Sequence, residues 1–301
     1  MHVPVLLKEA VYGLNLRLGD KVIDATYGDG GHARAILEKI GPTGKLLGID
    51  IDPENIKRAS QTAANNLLLV NDNFVNLKKI VAKEKFGPVR AILLDLGWSS
   101  RQLKESGRGF SFAKDEPLDL RLSGQGPTAA DILDDASKDE LGRIFREYGE
   151  EKKWLTLASA IVRYRRRKKI EHTAELVKII FEALGLREGN PTGRRHPATK
   201  VWQALRLAVN QELANLQAVL PPAVEILPTS GRLAVITFHS LEDRIVKQFF
   251  KSQAGRALKL INKKPIIASR AEVQSNPASR SAKLRIIEKV NTVNIEHRTQ
   301  L

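Results

Sequence analysis

Residues 24–32, Asp-Ala-Thr-Tyr-Gly-Asp-Gly-Gly-His, place three glycines within four positions, beside two aspartates and a histidine. Glycines at that density let a backbone bend sharply and come close to a ligand. The segment that follows, Ala33-Arg34-Ala35-Ile36-Leu37, reads as the start of a helix, whose free N–H groups and positive dipole end favour a nucleotide-like ligand. Asp50 follows the glycines by about 20 residues, where a carboxylate can accept both hydroxyls of a ribose. Asp72 and Phe74 offer an acceptor and an apolar face, which together suit an adenine. Asp95, followed by Leu96-Gly97, is a further acid that can accept the hydrogens of an amine.

Two cofactor classes fit this set. Gly28, Gly30 and Ala33 match the G-x-G-x-x-A dinucleotide pattern, which allows a nicotinamide or flavin. Asp24 sits in the strand leading into the turn and Asp29 inside it. Two acids there repel a pyrophosphate and suit the sulfonium and amino group of S-adenosylmethionine. In methyltransferases acting on amino groups, the place of Asp95 faces the transferred methyl.

The elements that must hold these residues follow an α/β rhythm. Strands are predicted at Val22–Asp24, Lys45–Asp50, Asn66–Asn71 and Val89–Asp95, each ending in or leading to one of the residues above. A first helix is predicted over 5–14, and further helices follow the glycine turn, Pro53 and Leu77. Strands alternating with helices indicate a parallel sheet, whose ligands sit beyond the strands' C-terminal ends. From Trp98 to about Asn190 the rhythm gives way to helical patterns at 128–133, 138–148, 151–167 and 173–184. A long amphipathic helix is predicted from His196 to the Pro221-Pro222 pair. Gly231–Phe238 resumes the sheet, His239 caps the next helix, and 259–261 and 283–289 are expected as two edge strands. The chain after Asn291 reads as a polar, frayed tail.

Composition narrows the function classes. Cysteine is absent, which removes disulfides, thiolate metal sites and a cysteine nucleophile. The six histidines have no metal-ligand spacing, so no metal is expected. No apolar run approaches the roughly 20 residues of a membrane span, and residues 1–5 lack signal-peptide features; a cytoplasmic, membrane-free protein is expected. The net charge is +15, of which +8 falls in residues 206–301. An excess of that size suits a polyanion such as nucleic acid. The basic run Arg163–Lys169 is a candidate RNA contact, or else the solvated end of a helix. On the residues alone, a methyltransferase, a nicotinamide oxidoreductase and a non-catalytic RNA-binding assembly factor all stay open.

Longer blocks carry a resemblance across almost the whole chain. They include His2–Leu7, Asp24–His32, Asp95-Leu96-Gly97 with Ser99-Ser100 and Gln102-Leu103, Arg108–Phe112, Pro117–Asp119, Gly149–Glu151, His196–Thr199, Gln203–Arg206, Phe238–Lys247, and Asn276-Pro277 with Arg280-Ser281. The chain resembles the bacterial ribosomal RNA small subunit methyltransferase H family, also called MraW, which makes N4-methylcytidine in 16S ribosomal RNA. The resemblance implies a class I S-adenosylmethionine-dependent methyltransferase fold, a Rossmann-like α/β sheet with an inserted all-helical domain. Residues 1–103 and 197–301 would bind S-adenosylmethionine, and 104–196 would recognise RNA. Cofactor contacts are implied at Gly30, Gly31, His32, Asp50, Phe74, Asp95 and Gln102. Asp95, or the carbonyl beside it, is the expected acceptor of the amine's hydrogens, with orientation supplying most of the acceleration. The target cytosine would be unstacked, and Trp98, Phe110 and Phe112 could stack on it or pack the insertion. The implied partner is 16S rRNA or the small ribosomal subunit, and a homodimer is allowed. Trp98 and Arg101 depart from the family's usual small aliphatic residue and proline, and Leu120 and Leu122 stand where methionines are usual.

Overall fold

The computed structural model describes residues 4–98, 100–187 and 196–291. Motif residues 2, 3 and 99, and nearly all of the expected polar tail, lie outside them. The chain forms two compact units, Met1–Trp98 with Leu213–Leu301, and Ser99–Glu212.

The first unit is a seven-stranded sheet flanked by helices. Its strands are β1 (Lys21–Asp24), β2 (Lys45–Asp50), β3 (Leu67–Asn71), β4 (Ala91–Asp95), β5 (Arg232–Thr237), β6 (Leu258–Leu260) and β7 (Lys283–Lys289). The order across the sheet is β3-β2-β1-β4-β5-β7-β6. β1 to β5 run parallel, and β7 is antiparallel to both β5 and β6. The order reverses between β1 and β4, which is where an open α/β sheet offers a ligand crevice. β6 is an edge strand as expected. β7 is not: it lies between β5 and β6, with Leu284 and Ile286 towards one face of the sheet and Ile287 towards the other.

The period of two along each strand sorts the core. Ile23, Leu47, Ile49, Ile92, Leu94, Leu233 and Val235 face one side. There they pack on Leu77 and Ile80 of α4 (Leu77–Lys83), Leu216 and Val219 of α11 (Glu212–Ile226), and Val246 and Phe250 of α12 (Ser240–Gln253). Val22, Leu46, Ala91, Leu93, Ala234 and Ile236 face the other side. There they meet Ala10 of α1 (Leu7–Gly13) and Ala33, Ile36 and Ile40 of α2 (Gly31–Ile40). Asp24 and Asp95 continue the Val22 and Leu93 series, so both carboxyls fall on the face that α2 covers. α3 (Pro53–Ser60) and α13 (Arg270–Ser275) complete this unit.

The second unit holds α5 (Ser100–Glu105), α6 (Ala129–Asp135), α7 (Lys138–Glu147), α8 (Trp154–Arg165), α9 (Thr173–Leu184) and α10 (Thr199–Val209). Leu133, Leu141, Phe145, Leu157, Ile161, Leu176 and Leu205 are buried in it. It is longer than the expected range 104–196, because α10 packs on α6 and α7. The single helix expected from His196 to Pro221 is two helices. Gln211 takes a left-handed φ of 50° between them. Beside it, the Asn210 amide donates to the Leu120 carbonyl at 2.8 Å and accepts from Leu122 N–H at 2.8 Å. The prolines do not end α11 but lie inside it. They deprive the carbonyls of Gln217 and Ala218 of partners, and both of those residues are exposed to water.

α6 begins with a reciprocal cap, in which Thr128 Oγ1 accepts from Asp131 N–H and the Asp131 carboxylate accepts from Thr128 N–H. Thr128→Ala should remove about 1 kcal/mol from this unit's stability, read as a lower urea midpoint with an unchanged slope.

Candidate functional site

The glycine turn links β1 to α2. Gly28 and Gly30 have φ of 55° and 71°, and Gly30 is the N-cap of α2. A Cβ on Gly31 would lie 2.2 Å from Pro4 Cγ, so the residue must be glycine for the N-terminal segment to rest on the turn. Val5 anchors the same segment through its carbonyl, 3.1 Å from His32 Nε2.

Asp50 ends β2 and organises the turn. Its Oδ2 accepts from Gly28 N–H at 2.6 Å and Asn55 Nδ2 at 3.1 Å, and its Oδ1 accepts from Asp52 N–H at 2.8 Å. Burial pushes its carboxyl up to about 6 against these donors. A carboxylate has about four acceptor positions, so one remains, on Oδ1. Two backbone N–H groups and the Asn55 side chain thus already take most of the capacity expected for the two hydroxyls of a ribose.

Asp24 and Asp95 stand at the ends of β1 and β4. Asp24 is buried; its Oδ1 accepts from Thr26 N–H at 3.3 Å, and its Oδ2 is buried without a hydrogen bond. Burial pushes it up to about 7, opposed by the Thr26 N–H and aided by the charge of Asp50. The Asp95 backbone N–H donates to Thr26 Oγ1 at 2.6 Å, which ties the two strand ends together. Asp95 Oδ2 lies 3.4 Å from His32 Nδ1, and its Oδ1 is buried without a hydrogen bond. Burial, then the charges of Asp24 and Glu242, hold this carboxyl well above the usual carboxylate range.

Glu242 approaches from α12. Its Oε2 accepts from the N–H groups of Phe238 and His239 at 2.8 and 3.2 Å. Its own N–H faces His239 Nδ1 at 3.4 Å, and His239 Nε2 stands 3.1 Å from its Oε1. Next in sequence, Asp243 binds Arg285 and Lys283 of β7, at 2.7 and 3.2 Å. The block Phe238–Asp243 thus fixes the start of α12 at the sheet's C-terminal edge.

The first unit therefore brings together Gly30, Gly31, His32, Asp50 and Asp95. Phe74 lies just beyond β3, partly buried against the core, at the start of a 3₁₀ turn capped by Asn73. Gln102 is buried on α5 of the helical unit. Phe112 stacks on His196 at 4.4 Å and meets Trp202 edge-on at 5.3 Å, while Phe110 is buried. Both phenylalanines thus pack the helical unit. The Arg108–Phe112 block is architectural too: Arg108 donates to the carbonyls of Arg121 and Leu122, and the Gly109 carbonyl accepts from Trp202 Nε1. Trp98 is 41% exposed.

The sequence reading missed the roles of Pro4, Val5 and Thr26; only the recurrence of Pro4-Val5 in a resemblance block signalled the first two. Among the described residues, no group of three or more His, Cys, Asp or Glu side chains could hold a metal ion, and no helix is long and apolar enough to cross a membrane.

The arrangement can hold a cation against buried carboxyls, grip one hydroxyl and approach a ligand with bare backbone. Residues 1–290 match the model of the MraW methylase family. The chain is 43% identical over 309 residues to ribosomal RNA small subunit methyltransferase H of Dehalococcoides mccartyi, covering 96% of this chain and 86% of that one. The enzyme of the same name from Thermomicrobium roseum is 44% identical, with 96% and 94% covered, and that from Nitrosomonas europaea 42%, with 97% and 98% covered.

Proposed function

The chain belongs to the MraW methylase family, and from that premise we propose that it methylates the N4 amine of a cytidine in 16S rRNA, with S-adenosylmethionine as donor. One observation carries the donor assignment. Asp24 and Asp95, on adjacent strands, each present a buried oxygen with no hydrogen bond, and burial holds both carboxyls above their usual range. Such a pair lacks a positive charge, which suits a sulfonium and an ammonium and repels a pyrophosphate.

Bound there, S-adenosylmethionine supplies an electrophilic methyl group. Gly30 and Gly31 would let the backbone close on it, Asp50 Oδ1 would take one ribose hydroxyl, and Phe74 would complete the contacts proposed within the first unit. His32 orients Asp95, and Asp95 accepts the hydrogens of the incoming amine. The cytosine amine is a weak nucleophile because its lone pair is delocalised into the ring. Orientation and fixed charges therefore do most of the work.

The test uses small ribosomal subunits and bare 16S rRNA from cells lacking this protein. Incubation with S-adenosylmethionine should add one methyl group at one cytidine, identified as N4-methylcytidine after nucleoside digestion. Methylation elsewhere on the base sinks the N4 assignment, and no transfer to either RNA sinks the reading as a whole.

The raised carboxyl of Asp24 makes donor binding pH-dependent. Below about pH 7 the free protein holds this carboxyl protonated, and a bound cation expels the proton. Affinity for S-adenosylmethionine should therefore rise with pH, by up to about tenfold per unit below the free protein's pKa, and level off above it. Calorimetry on Asp24→Asn should lose this component of the slope. S-adenosylhomocysteine, without the sulfonium charge, should show less of it in the parent protein.

A further inference from the structure

Residues 244–271 contain eight Lys or Arg and no Asp or Glu, so this short stretch supplies eight of the fifteen net positive charges. All eight side chains are exposed. Arg244, Lys247 and Lys251 follow one another at helical spacing on the outer face of α12, opposite the buried Val246 and Phe250. Lys259 lies on β6 between Leu258 and Leu260, which pack on the α12 side. Strand alternation therefore turns Lys259 to the opposite face of the sheet. Arg256 lies between α12 and β6, Lys263 and Lys264 follow β6, and Arg270 opens α13. The cations thus wrap the free β6 edge from one face to the other. The face begins at the site, because His239 caps the start of α12 and the charge of Glu242 acts on Asp95.

The run Arg163–Lys169 of the helical unit is different. Arg165 donates to the Leu133 and Ala136 carbonyls at 2.6 and 2.7 Å, closing the end of α6. Lys168 is paired with Glu175, and Lys169 with Asp134 at 2.8 Å. Half of that run's cations are already engaged within the fold. Lysines on an edge strand also discourage sheet-to-sheet pairing, and Lys251 suits a helix C-terminus. Neither effect accounts for Lys247 at the middle of α12, or for a stretch this long with no acid.

We infer that the α12–β6 edge is the face that docks the phosphate backbone of the RNA substrate, and that the basic run of the helical unit contributes less. The inference rests on the RNA reading above. It is tested on the full chain by titrating unmethylated 16S rRNA and small subunits across a salt series. In the variant Lys247→Gln/Lys251→Gln/Lys259→Gln/Lys264→Gln, affinity near physiological salt should fall at least about tenfold. The slope of log K against log salt should become shallower by about 3, since each phosphate contact contributes 0.7–0.9. S-adenosylmethionine affinity should be unchanged, which establishes that the fold is intact. Arg163→Gln/Arg166→Gln/Arg167→Gln should change RNA affinity less than about threefold. An unaltered slope in the four-lysine variant, or a larger loss in the arginine variant, overturns the docking face while the RNA reading stands. Loss of binding to anionic phospholipid vesicles with RNA binding unchanged also overturns it. A parent protein that binds neither RNA overturns the RNA reading itself.

Discussion

Asp95→Asn should lower the rate of methyl transfer at saturating donor by about a hundred- to a thousandfold, with RNA affinity changed only a few-fold. The substitution keeps the shape of the side chain and leaves the backbone bond to Thr26 Oγ1 in place. What it removes is an acceptor whose Oδ1 is buried with no hydrogen bond and whose Oδ2 is steadied by His32 Nδ1 at 3.4 Å. An acceptor used only while the amine is attacked affects kcat more than KM. Single-turnover transfer at saturating RNA and donor reads the effect directly. An unchanged rate would remove Asp95 from the mechanism. The pH profile gives a second reading. The carboxyl must be ionised to accept the amine's hydrogens, and burial and neighbouring acids hold it well above the usual range. Activity of the parent protein should therefore fall as pH is lowered through a value higher than an ordinary aspartate's. Asp95→Asn should lose that acid limb.

Asp50→Ala should weaken S-adenosylmethionine binding by at least about a hundredfold, since it strands buried donors and removes a contact to the ligand together. The side chain holds Gly28 N–H, Asp52 N–H and Asn55 Nδ2. Its loss releases the glycine turn from β2 as well as the proposed ribose hydroxyl. Asp50→Asn separates the two contributions: one amide oxygen still accepts, but cannot serve both ends, so an intermediate loss is expected. Undiminished binding by calorimetry in Asp50→Ala would reject the ribose assignment.

Much of this site could be read before the fold was seen, because strand periodicity is local. Val22, Ile23 and Asp24, then Leu93, Leu94 and Asp95, state their own alternation, and the alternation puts both acids on one face. The glycine turn also declares itself, since few other sequences permit it. Non-local contacts were not legible. The end of α10 is set by Asn210 reaching Leu120 and Leu122, far earlier in the chain. β7 becomes an interior strand only because β6 pairs beyond it. The prolines at 221 and 222 read as a helix end, and their tolerance depends on which carbonyls face water. Phe112 fits a base-stacking or a packing role by sequence, and the distant His196 and Trp202 that lie against it decide for packing.

The insertion between β4 and β5 also fixes an order in time. β4 pairs with β1 on one side and with β5 on the other, and the ribosome must make residues 96–231 before β5 exists. At about 5–20 residues per second this takes roughly 7–27 s. Throughout that interval the apolar β4 edge, Ala91-Ile92-Leu93-Leu94, has no native neighbour on its β5 side. The helical unit can fold early, as a contiguous segment. The sheet that carries the chemistry closes last, so the half-made chain is the form most in need of a chaperone.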